Sequence, residues 1–150
     1  MAKPTTYNGS KLYIQLGNGA TPTELFTAPC GLTTRGITFT KDTNDVTVPD
    51  CDDPDLPAWT ERAVASFSAE VTGSGILAAE ALPTWRTSFL NAVSSNARIG
   101  INAPLAQAGG HYAGKIHITS FAITGEVGDK INVAVTLVSD GALTWVPASS

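Results

Sequence analysis

The stretch Gly73-Ser74-Gly75-Ile76-Leu77-Ala78 fits the G-x-G-x-x-A form of a dinucleotide fingerprint and follows a strand-like segment. Such a fingerprint works only in a parallel βαβ unit, where a helix N-terminus points at the pyrophosphate. Here the preceding segment alternates as an antiparallel strand does, and Pro83 falls early in the following helix. No acid stands about twenty residues on to hold a ribose. The run therefore reads as a strand–turn–helix corner.

The segment Asp50-Cys51-Asp52-Asp53-Pro54-Asp55 offers oxygen ligands of the kind calcium takes. It lacks the glycine at the sixth position and the glutamate at the twelfth that an EF-hand loop uses, so it reads as a solvated acidic loop. Cys30 and Cys51 are twenty-one residues apart, and His111 and His117 are six apart. Neither pair has the short spacing of a zinc site. Nucleophile elbow, P-loop, H-E-x-x-H and C-x-x-C patterns do not occur. The aromatics Phe39, Trp59, Phe67, Trp85, Phe121 and Trp145 fall about one to an element, a spacing that builds a core and not a stacking platform. The expectation is a protein without catalytic residues, metal or cofactor.

Composition points the same way. Charged residues are 15% of the chain, below the ~25% of ordinary domains, as suits a subunit whose surfaces become interfaces. Seven acids (Asp42, Asp45, Asp50, Asp52, Asp53, Asp55 and Glu61) lie between Asp42 and Glu61 without a base. The other six acids against nine bases leave the rest of the chain at +3. Those bases are scattered singly, so the basic stripe of a nucleic-acid reader is missing. The start of the chain has no apolar run of signal-peptide length, and no window approaches a membrane span. That predicts synthesis in a cytosol, where two cysteines stay thiols.

The elements follow from periodicity. Leu12, Ile14 and Leu16 mark a strand that turns at Gly17-Asn18-Gly19 and returns over Glu24 to Pro29. Leu32 to Lys41 is a Thr-rich strand with Ile37 and Phe39 facing in. Residues 42–59 are acidic, carry Pro49, Pro54 and Pro57, and lack periodicity, which predicts a long loop. At that length a loop is functional or is ordered by a partner. Arg62 to Thr72 alternates, with Ala63, Ala65, Phe67, Ala69 and Val71 on one face, until Gly73-Ser74-Gly75 breaks it. Trp85, Phe89 and Val93 recur every four residues in the one helix, expected over residues 83–94 and ended by Asn96.

A short strand over Arg98 to Asn102 leads into strands around Gly114–Glu126, Ile131–Leu137 and Leu143–Val146. The phase slip between Ile116/Ile118 and Phe121/Ile123 implies a bulge or burial on both faces. The sum is a single α+β, mainly β domain: a small rolled sandwich or barrel of seven or eight mostly antiparallel strands with one flanking helix.

This order of elements resembles a family. The strand Ser66-Phe67-Ser68-Ala69-Glu70-Val71-Thr72-Gly73, the helix with Leu82, Trp85 and Phe89, and the closing sheet around Gly114–Leu137 are similar to the tail tube proteins of siphophages and gene transfer agents. The resemblance runs from about Lys11 to Pro147. It implies a structural subunit of the virion tail, made and assembled in the bacterial cytoplasm. It further implies hexameric rings stacked into a tube, tail tip or baseplate and terminator proteins as partners, and DNA passing through the lumen without specific binding. Asp42, Asp45, Asp50, Asp52, Asp53, Asp55 and Trp59 are the candidate contacts between subunits or rings, with Trp59 an aromatic anchor at the loop base. The alternative is a small β-rich ligand- or carbohydrate-binding module with a concave aromatic face.

Overall fold

The computed structural model describes residues 2–19 and 24–149. In chain order its strands are β1 (Leu12–Gly17), β2 (Phe26–Thr27), β3 (Leu32–Thr47) and β4 (Thr60–Ile76), followed by the helix α1 (Leu82–Leu90). The chain continues with β5 (Ser95–Ile101), β6 (Gly110–Thr124), β7 (Asn132–Ser139) and β8 (Thr144–Pro147). The mainly β composition with one helix is the expected one. Every strand pairing is antiparallel, in the order β2-β1-β5-β6-β7-β4-β3, with β8 also alongside β6.

Strand β6 is the spine. Its first half pairs with β5 on one edge and β8 on the other, and its second half pairs with β7. Ser139 lies opposite Ile116 and Thr144 opposite Ala113, so β8 resumes the line of β7 after a short excursion. The phase slip is a bulge. Register shifts between Ile118 and Ser120, leaving Thr119 as the extra residue. A bulge bends its strand, and here it lets the two halves of the sheet roll about one core.

That core takes Ile14, Leu16, Ala97 and Ile99 from one half and Val71, Val133, Val135 and Leu137 from the other. Ile116 and Ile118 lie between them, and Ala81 and Trp85 close it. Trp85 is fully buried, its ring 6.5 Å from that of Phe121.

The helix and the expected strand break need correction. The helix ends at Leu90, because Asn91 turns extended and its Oδ1 accepts the Val93 amide at 3.1 Å. Asn96 sits in β5 instead, where its side-chain amide donates to Glu24 Oε2 at 2.7 Å. Of the four-residue stripe only Trp85 is buried; Phe89 and Val93 are exposed.

Nor do the glycines break β4. Gly75 pairs with Leu32 on one edge and Val133 on the other. A Cβ at Gly75 would lie 2.3 Å from the Gly31 carbonyl oxygen, so the glycine permits a close strand approach. That close approach is the packing role of Gly75 within the fingerprint-like run.

Candidate assembly surface

The first third of the expected loop over residues 42–59 is strand. β3 runs on to Thr47, and the loop is residues 48–59. Two lateral contacts keep the acids in the ladder. Ser66 Oγ donates to Asp42 Oδ2 at 3.1 Å, and Arg62 Nε donates to Asp45 Oδ1 at 2.9 Å. Acidity argued for a loop only while the bases and hydroxyls of the facing strand were out of view. Thr43, Val46 and Thr47 suit an extended backbone in any case.

The last residue of β4 to pair with β7 is Glu70, opposite Val138. Beyond it β3 and β4 pair only with each other, and every residue from Thr38 to Ser68 is exposed. Nine steps from Ala69 to Thr60 at ~3.3 Å each make an arm about 30 Å long. A two-stranded ribbon without a core is marginal in water on its own.

A second bulge sets the faces of the arm. The partner of Asp42 is Ser66 and that of Thr43 is Val64, which leaves Ala65 unpaired. The alternation from Arg62 to Thr72 is therefore broken, and Ala63 lies on the face opposite Phe67. Because the inserted residue flips side-chain parity, Val64 and Phe67 share a face.

Asp50, Asp52, Asp53 and Asp55 lie in the loop that closes the arm, and Trp59 stands at its end with 93% of its surface open to solvent. The loop is internally hydrogen-bonded. Asp50 Oδ1 accepts the amides of Asp52 and Asp53 at 2.8 and 3.1 Å, which lowers the Asp50 pKa. Asp53 Oδ1 accepts the Asp55 amide at 3.3 Å. These are Asx turns, which satisfy the carboxylates from the backbone. Among the described residues no group of His, Cys, Asp and Glu is placed to hold a metal ion. The seven candidate residues thus share one arm but two settings: Asp42 and Asp45 in its ladder, the other five at its tip.

The sheet face turned away from the core is a further feature of the fold. Thr38 lies beside Glu70, Gly36 beside Thr72, and Thr136 beside both Thr72 and Ser120. Across this patch of β3, β4, β7 and β6, hydroxyls and small side chains predominate. Glu70 supplies a negative charge and no Lys or Arg stands among these residues. The alternation of Ser66, Ser68, Glu70 and Thr72 marks it in the sequence.

The chain matches the family model described as phage tail tube protein over residues 6–145. It belongs to the phage tail tube protein family. No curated protein matches its sequence. Among solved structures it is similar to the tail of an empty gene transfer agent particle refined with C6 symmetry, at TM-score 0.77 and 25% identity over 94% of this chain and 99% of that one. The native gene transfer agent virion gives 0.75 and 24% over the same shares. The SPP1 tail tube shares the fold at 0.66 and 9% identity, over 97% of this chain and 81% of that one. The protein is a structural subunit of a phage-type tail tube.

The other chemistry-capable residues of this tail tube protein stay apart. Cys30 and Cys51 are exposed thiols at opposite ends of β3. His117 Nε2 lies 3.4 Å from Asp140 Oδ2, while His111 has its pKa lowered by burial and by Arg98. Burial raises the Tyr13 pKa against the opposing pull of Arg98. Phe39 packs on Tyr112 and Tyr112 on Trp145, with centroids 4.9 and 4.8 Å apart. Rings spent on each other do not form the concave platform of a carbohydrate-binding module.

Proposed function

We propose that the chain forms hexameric rings that stack into a hollow tube in the virion tail, with the arm of each subunit reaching an adjacent subunit or ring. The C6 symmetry of the similar gene transfer agent tail supports the ring. The observation that carries the reading is the arm: about 30 Å of paired, uncored ribbon ending in an exposed tryptophan. Pairing of the free β3 edge with a neighbour would extend the sheet around the ring and remove an exposed edge. The hydroxyl-rich face would line the conduit, where the lack of cations lets DNA slide without being gripped through counterion release.

Assembly takes place in the bacterial cytoplasm, and tail tip and terminator proteins cap the stack. No catalytic step belongs to this role. Deleting residues 49–57 shortens only the loop that closes the arm. The deleted protein should keep its circular dichroism spectrum yet fail to form tubes in negative-stain images. Normal tubes from the deletion variant would overturn the role given to the arm.

A further inference from the structure

An apolar cleft of about 520 Å³ opens where the arm leaves the body, lined by Phe39, Phe67, Ala69, Ala142 and Leu143, with Ser139 at its side. Phe67 is 72% exposed and Phe39 52%, so two aromatic walls face water. The same protein carries an indole, Trp59, that packs against nothing. We propose that Trp59 of one subunit seats in this cleft on a second copy in the adjacent ring. The inference rests on the arm bridging rings and names what the arm grips.

Three observations select a second copy as the occupant. The first is reach. Trp59 adjoins Thr60, and seven steps of the same ladder, about 23 Å, separate Thr60 from Phe67. A chain therefore cannot fill its own cleft. The second is length. The paired body of β4 from Glu70 to Ile76 spans about 20 Å, less than the ~30 Å arm. An arm laid along the body of an end-to-end copy therefore brings its tip level with the root of that copy's arm. Such a head-to-tail contact repeats without limit, as a tube requires.

The third observation is charge. The Lys41 ammonium lies 5.6 Å from the Phe67 ring centroid, at the rim of the cleft, and no acid lines it. The neighbouring Asp140 carboxylate lies 3.4 Å from His117 Nε2. The incoming loop brings Asp50, Asp52, Asp53 and Asp55 beside its tryptophan. An aromatic anchor in an apolar pocket, with a complementary charge at the rim, is an arrangement that concentrates binding energy.

Trp59→Ala and Phe67→Ser change exposed side chains, so both variants should fold and stay monomeric when dilute. Each should raise the concentration needed for tube formation by at least ~30-fold, the factor that corresponds to an interface hot spot. The double variant should be little worse than either single one, because both remove one contact. Tryptophan emission should shift to the blue on assembly of the wild type and much less for Phe67→Ser.

Assembly of Trp59→Ala at the wild-type concentration, or additive effects in the double variant, would overturn the docking. If Trp59→Ala forms normal tubes while the 49–57 deletion does not, the arm bridges rings by other contacts. If both form normal tubes, the bridging role falls with the docking.

Discussion

Trp85 offers the sharpest test of how the body is held together. It is the largest fully buried side chain, it closes the core from α1, and its indole N–H has no hydrogen-bond partner among the described residues. Trp85→Ala removes nearly all of the ring and leaves a cavity against Phe121, and such truncations cost about 3–5 kcal/mol. For a chain of this length each kcal/mol is worth about 2–4 °C in Tm. A loss of about 4 kcal/mol therefore corresponds to a drop of roughly 8–16 °C.

Trp85→Phe is the informative partner. It sacrifices about 1–2 kcal/mol of buried apolar area and packing. It also removes a buried donor without an acceptor, which returns about 1–3 kcal/mol. The two terms offset, so this variant should lie within about 1 kcal/mol of the wild type. Urea unfolding of the dilute protein, followed by circular dichroism with an unchanged m-value, reads both numbers. If Trp85→Phe costs as much as Trp85→Ala, the indole N–H is satisfied and the reasoning about this core is wrong.

Gly75→Ala should destabilise by about 3 kcal/mol, since the atoms a new Cβ meets are backbone of Gly31, Leu32 and Thr33 and cannot swing aside. Gly9→Ala meets nothing within 4 Å and should change stability by less than ~0.5 kcal/mol in the same denaturation assay. His111 is held below its ordinary value of 6.5, so the unfolded chain binds its proton first as pH falls. Its stability contribution should therefore decline below about pH 6.5 and level off beneath the folded pKa, and Tm of His111→Gln should drop less than that of the wild type between pH 7 and pH 5. The free subunit should bind DNA negligibly near 0.15 M salt, and submicromolar affinity in a gel shift would contradict the cation-free face.

The sequence made the body legible because its strands bury one face. Leu12-Ile14-Leu16 and Val133-Val135-Leu137 alternate against a single core, and period two is the direct imprint of that burial. The slip at Thr119 was visible for the same reason: an inserted residue moves the apolar phase. The arm was harder to read because nothing in it is buried. Asp42 and Asp45 are held in the ladder by Ser66 and Arg62 across some twenty residues of sequence, and acidity alone gave no hint of those partners. The helix was read too long because Phe89 and Val93 continue a periodicity that the fold does not bury. In the acidic arm, composition marked the candidate residues but could not separate its ladder from its tip.

In the proposed tube, the uncored ribbon would also act as a ruler. With no body packed against it, its length is free to change, but only under a parity rule. One residue added to each strand would rotate the whole tip to the opposite side, whereas two per strand would restore its orientation about 6.6 Å farther out. Variation in arm length should therefore come in even steps, and the bulge at Ala65 marks the place where an odd residue has been absorbed. The spacing between successive layers would then be written in the count of residues along one hairpin.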